Sequence, residues 1–242
     1  MDQIYIPKNR INFPIGISVL IQPLTVLKKS LWKPYFYNIS SLEPLKLNII
    51  EEIFKIINTH RTYDNLIITG SFLDVGFHFE DLDILIISED EKDKAFLEKT
   101  LESHLKITCH LIFFDKKSFE EALRTDPLWR MMLSTCVSQS RLKPLPEKKI
   151  HYKLLDLHLL KSKSLIDNFD DLTGKEKYKL LRNVVAIKIF LTSKKLVKES
   201  VDKEIGRIFS VSVEHIQDNL LDKRSFLVNY KKLYHTTFNE IM

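Results

Sequence analysis

Leu66-Ile67-Ile68-Thr69-Gly70-Ser71 is followed, nine residues later, by Asp81-Leu82-Asp83-Ile84-Leu85-Ile86-Ile87. Two short apolar runs rich in Ile, joined through a Gly-Ser turn, read as a pair of buried strands. The second strand opens with carboxylates at i and i+2, which an extended backbone points to one face. Two acids side by side on an Ile and Leu surface repel each other, and a cation between them resolves the repulsion. A fold alone does not ask for this arrangement, whereas metal-dependent phosphate chemistry does.

The 242 residues suffice for one domain with a smaller companion, and 44% hydrophobic with 29% charged residues is a globular balance. Five glycines is a low count and favours helix-rich structure. Cys109 and Cys136 are the two cysteines. They imply no disulfide framework and read as small buried hydrophobes in a reducing compartment. The opening Met1-Asp2-Gln3-Ile4-Tyr5-Ile6-Pro7-Lys8 lacks the basic and apolar regions of a signal peptide. No apolar run approaches the roughly 18 residues that span a bilayer. The expectation is a soluble, cytoplasmic protein with no membrane partner.

Charge is unevenly spread. Residues 1–45 hold 5 basic and 2 acidic side chains (net +3), residues 46–142 hold 12 and 17 (net −5), and residues 143–242 hold 20 and 13 (net +7). An acidic centre between basic flanks suits a metal site that also holds polyanions, and a solvated Lys-rich helical surface gives the same sums.

Three segments are expected. Residues 1–45 form an N-terminal extension, in which Ile4-Tyr5-Ile6, Ile15–Ile21 and Tyr35-Phe36-Tyr37 read as strands. Residues 46–142 form an α/β core with a small mixed sheet. It contains a helix over 45–57 capped at Ser40 or Ser41, strands at 65–70 and 82–87, a helix at 91–104 and a strand at 106–114. From Ser118 onward the pattern is helical almost throughout. Pro144 and Pro146 mark the boundary of a helical domain, 143–242, with helices near 149–168, 175–198, 201–209, 212–221 and 225–240.

The stretch from Leu66 to Ile87 resembles the signature of the nucleotidyltransferase superfamily, which includes DNA polymerase β, aminoglycoside nucleotidyltransferases and the minimal nucleotidyltransferases of prokaryotes. That signature is an apolar strand, Gly-Ser or Gly-Gly, about ten residues, then Asp-x-Asp or Asp-x-Glu in an apolar strand. Gly70-Ser71 and Asp81-Leu82-Asp83 match it in residue type and spacing. The resemblance implies that Asp81 and Asp83 hold one or two Mg²⁺ ions and that Gly70 and Ser71 hold the phosphates of an NTP such as ATP. Each position has its own physical reason. Gly70 allows a sharp turn and close approach to a ligand. Ser71 opens a helical turn whose amides can donate to phosphate, and carboxylates with phosphates are the oxygen ligands Mg²⁺ prefers.

Members of the family usually add a third carboxylate on the next strand. The 91–104 helix makes a crossover, so strands 82–87 and 106–114 should run parallel. The position level with the acids is then His110, and no Asp or Glu occurs between Glu102 and Asp115. Asp115 lies about 17 Å farther along, with opposite facing parity. His110 can serve as a neutral ligand or base, or mark a site that has lost turnover. The spacer Phe72–Glu80 also lacks the arginine the family often carries there, although Gly76 can preserve a turn. In this superfamily a helical domain packs beside the site, so Lys179 and Arg182 are candidates to face bound nucleotide.

Other features have blander readings. His151 and His158 share a helix face and read as surface or packing residues. Trp129-Arg130 and Trp32-Lys33 could stack bases, or simply pack.

The expected activity is Mg²⁺-dependent transfer of a nucleoside monophosphate from an NTP to an acceptor that the sequence does not specify, whether small molecule, protein or nucleic acid. Asp81, Asp83 and His110 would carry the chemistry. The alternative is a weak or inactive nucleotidyltransferase-like regulator, or a toxin–antitoxin component, binding nucleotide or nucleic acid through the basic helical domain. A third reading makes Asp81 and Asp83 an acidic interaction surface.

Overall fold

A computed structural model describes residues 33–192 and 195–241, so the strands expected at Ile4–Ile6 and Ile15–Ile21, and Trp32, lie outside the described residues. From Pro34 onward the chain forms one compact unit. Its strands are β1 (Tyr35–Tyr37), β2 (Asn65–Thr69), β3 (Asp81–Ile87), β4 (Thr108–Phe114) and β5 (Cys136–Ser138). They make one mixed sheet in the order β1-β5-β2-β3-β4, in which only the β3–β4 pair is parallel.

β2 and β3 are central and buried on both faces, with Leu66, Ile67, Ile68, Ile84, Leu85 and Ile86 fully covered. This is why their sequences read as unbroken apolar runs rather than alternations. Ile67, Leu85 and Ile87 share one face with Ile112 and Phe114. That face packs on Leu123 of α3 (Lys116–Thr125) and on Trp129 of α4 (Pro127–Met132). Trp129 stands edge-on to Phe114 at 4.9 Å, a core contact rather than a base-stacking platform.

α1 (Pro44–His60) buries the stripe Lys46, Ile50, Ile53, Phe54 and Ile57. It starts at Pro44, with Glu43 as its N-cap, and not from a Ser40 or Ser41 cap. Proline at the first helical position has no amide to satisfy and is already at the helical φ. α2 (Lys94–Leu105) crosses over between β3 and β4. Two of its carboxylates accept outward-facing amides of β4, Cys109 N–H to Glu102 Oε1 at 3.2 Å and Leu111 N–H to Glu98 Oε1 at 3.3 Å.

Cys136–Ser138 corrects the expectation of helix throughout after Ser118. Three residues of small apolar character carry no period, and their pairing between β1 and β2 decides the matter. The expected 149–168 helix is divided into α5 (Tyr152–Ser162) and α6 (Ser164–Asp167). The expected 175–198 helix is α7 (Gly174–Leu191), closed where Thr192 Oγ1 donates back to the carbonyls of Lys188 and Ile189. Then follow α8 (Lys198–Phe209), α9 (Val213–Gln217) and α10 (Lys223–Asn239).

α7 is the axis of the helical part. Leu181, Val184, Val185, Ala186 and Ile187 are fully buried, so its middle is apolar all round, as an enclosed helix must be. Its first turn is fixed by a capping box between Thr173 and Glu176. Gly174 lets that turn press onto α9, since a Cβ there would lie 2.1 Å from the Gln217 carbonyl oxygen. His151 N-caps α5, and His158 Nε2 sits 3.1 Å from Asp126 Oδ2, so both histidines have structural partners.

Candidate active site

Asp81 and Asp83 lie on the sheet face of Leu85 and Ile87, at the end where β2 finishes and β3 begins. Thr69 pairs with Asp83 across β2–β3, and His110 pairs with Asp83 across the parallel β3–β4 ladder. His110 therefore stands level with the acids, as the crossover argument requires. Its Nε2 is 3.2 Å from Asp81 Oδ2, and both side chains are well exposed, 56% and 39%. Asp115 is instead the N-cap of α3, accepting from Ser118 N–H at 2.8 Å.

Gly70 adopts φ 88°, and a Cβ on it would lie 2.5 Å from Asp83 Oδ2. Only glycine combines that backbone with that proximity. Ser71, exposed, begins a single 3₁₀ turn, Ser71–Leu73. The Asp83 carboxyl is pushed above the ordinary Asp range, first by burial and then by the neighbouring Asp81 charge. His110 and Lys179 pull it partly back. Lys179 of α7 is therefore near enough for its charge to act on Asp83.

Arg182 is directed elsewhere. Its guanidinium lies 5.6 Å from the Tyr178 ring, and Tyr178 Oη donates to Asp202 Oδ1 at 2.6 Å. Burial raises the Asp202 carboxyl, against the pull of Tyr178, Lys198 and Arg182. The Nε–H of Arg182 is buried with no hydrogen-bond partner among the described residues. A buried donor left without an acceptor costs free energy until an anion or water arrives.

The spacer loop is held by residues that motif matching does not reveal. Lys46, fully buried, donates to the carbonyls of Asp74 and Gly76 and pairs with Glu43 at 3.1 Å. Its ammonium lies 5.3–5.7 Å from the rings of Phe72, Phe77 and Phe79. Glu43 Oε1 accepts the Gly76 amide at 2.6 Å, and that bond, with those from its own backbone and Lys46, holds its carboxyl below the ordinary range. The available signal was a lysine heading the stripe 46, 50, 53, 54, 57. The helical part grips the same loop through Lys198–Asp74 at 2.5 Å and through Lys175–Glu80. Lys198 and Lys175 of the helical part are therefore both engaged with spacer carboxylates.

Gly70, Asp81, Asp83, His110 and Lys179 are brought together, Ser71 adjoins them, and Arg182 stands apart with Tyr178 and Asp202. Among the described residues no group of three or more His, Cys, Asp or Glu is arranged to hold a metal ion. No family model, curated protein or solved structure matches this chain. Among the described residues no helix is long and apolar enough to cross a membrane.

Proposed function

We propose that the chain is a Mg²⁺-dependent nucleotidyltransferase, built on a small nucleotidyltransferase core, that moves a nucleoside monophosphate from an NTP to an acceptor. The observation that carries this reading is the contact of Gly70 with Asp83, on a strand that also presents Asp81 to the same face. The residues fit Mg²⁺. Asp83 carries a charge that its surroundings disfavour, with a second carboxylate beside it, and a divalent cation relieves both costs. Two carboxylates completed by phosphates and water make an ordinary Mg²⁺ site. When bound, the ion supplies neutralisation of the triphosphate and alignment for in-line displacement.

The protein's own groups divide the remaining work. Gly70 leaves the backbone open for a phosphate, and the Ser71 hydroxyl stands beside it. Lys179 adds positive charge near Asp83. His110, 3.2 Å from Asp81 Oδ2 and open to solvent, would take the proton of the acceptor hydroxyl, the task a third carboxylate has in the family it resembles.

The His110–Asp81 pair also favours a second reading. An imidazole 3.2 Å from Asp81 Oδ2 crowds a carboxylate that metal would use, which suits a protein that binds nucleotide with little turnover, as a regulator. One assay separates the two. Incubation with labelled NTPs, Mg²⁺ and candidate acceptors should give transfer that disappears in Asp81→Asn and Asp83→Asn and is retained or raised in His110→Asp. Transfer that survives Asp83→Asn sinks the proposed site. Mg²⁺-dependent NTP binding without transfer, in both wild type and His110→Asp, selects the regulator.

A further inference from the structure

A cavity among the described residues lies away from the carboxylates. It encloses about 910 Å³ between α4, the 141–148 segment and the C-terminal end of α7. Phe190, in its wall, lies eleven residues beyond Lys179 on α7, about 16 Å along the helix axis.

Its chemistry is one-sided. Arg130, Arg141, Lys143, Lys148 and Lys195 line it, and no Asp or Glu is among the described lining residues. Lys143 pairs outward with Glu120 at 2.9 Å. Arg130 and Lys148 have no carboxylate partner among the described residues. Arg130 Nη2 donates to the Pro146 carbonyl at 2.9 Å, and Lys148 Nζ to the Phe190 and Leu191 carbonyls at 2.7 and 3.1 Å. Both cations flank one ring, lying 6.0 and 5.6 Å from the centre of Phe190. Burial lowers the affinity of each for its proton, and Lys148 is lowered further by Arg130. Two half-buried like charges against one aromatic ring are costly to hold without an anion. Leu133, Leu142 and Leu196 complete an apolar wall, and Leu145, 55% exposed, stands at the rim.

A solvated basic surface has no such wall, and an apolar core void has no such cations. The volume falls in the range of small-molecule sites, which join an apolar lining to a few convergent polar groups. We propose that this cavity binds a phosphate monoester of about nucleotide size, its anion between Arg130 and Lys148 and its ring or aliphatic body against Leu142 and Leu145. The site is separate from Asp81 and Asp83 and needs no divalent cation. It stands or falls independently of the transferase reading.

Isothermal titration with AMP, inorganic phosphate and adenosine, each in EDTA, tests it on the full chain. AMP should bind, with phosphate and adenosine each at least tenfold weaker, because each supplies half of the contacts. Arg130 and Lys148 support the local fold, so the informative variants are the exposed pair Arg141→Ala with Lys195→Ala, together with Leu145→Ser at the exposed rim. Each should weaken AMP about tenfold while leaving the melting temperature of the ligand-free protein nearly unchanged for the exposed pair. Asp83→Asn should leave AMP affinity intact. The proposal is overturned if AMP does not bind at millimolar concentration, or if Asp83→Asn abolishes binding while the cavity variants do not. Equal affinity for inorganic phosphate removes the apolar half of the site. Displacement of AMP by a single-stranded oligonucleotide at far lower concentration makes the surface a nucleic-acid groove instead.

Discussion

Asp83 Oδ2 fills the space where a side chain on residue 70 would begin. A Cβ there would be 2.5 Å away, on a backbone whose φ of 88° already disfavours one. Gly70→Ala should therefore cost roughly 2–3 kcal/mol, from backbone strain and overpacking together. In an Asp83→Ala background only the strain remains, about 1 kcal/mol. A denaturant double-mutant cycle measures the coupling, and an equal cost in both backgrounds would contradict the contact.

Asp83→Asn should stabilise the ligand-free protein. The folded carboxyl is raised above its unfolded value, so the unfolded chain releases its proton first as pH climbs past about 4. Wild type loses stability through that window until the folded carboxyl is ionised too, and Asn does not. The variant's advantage in melting temperature should grow as pH rises above about 4 and level once the folded carboxyl is ionised. With Asp83 only half-buried, solvent screening holds the gain to about 1 kcal/mol. Added Mg²⁺ should raise the melting temperature of wild type and not of the variant; an advantage that shrinks with rising pH would refute the argument.

Lys46→Met removes one member of a buried charge pair and leaves Glu43 and two carbonyls without their donor. Breaking a buried pair on one side typically costs about 3–5 kcal/mol. Hydrogen exchange should show the Gly76 amide losing protection along with global stability.

Both thiols should be unreactive in the native protein. Burial pushes Cys109 and Cys136 up to about 12, and for Cys109 Glu102 and Glu98 push in the same direction. Iodoacetamide at pH 8 should label neither until denaturant is added. Labelling of one thiol under native conditions would place it at the surface.

Long apolar strands and the alignment of His110 with Asp83 were legible because a parity of two and a crossover connection leave few choices. β5 was not, since three residues carry no period and the strand exists through its neighbours. The ends of α7 and α8 were missed for a related reason. Lys and Leu recur at helical spacing through 192–197, while the stop is a side-chain hydrogen bond from Thr192. At the site, the motif carried Gly70, Asp81 and Asp83, and the loop's anchors escaped it. Lys198 and Asp74 are far apart in sequence, and Lys46 looks like any surface lysine until its stripe is written out. Arg182 was read as facing nucleotide, yet its guanidinium lies against the Tyr178 ring, near Asp202.

The glutamates of α2 that sit on β4 do more than join helix to strand. Among the described residues β4 is the last strand of its sheet, and an unpaired row of amides there would offer a template to any extended chain. With Cys109 and Leu111 already donating to Glu102 and Glu98, two outward amides of that template are taken. The species prone to self-association is then the chain whose α2 has peeled away. Substituting both glutamates by alanine would shorten the path to it without touching Asp81, Asp83 or His110.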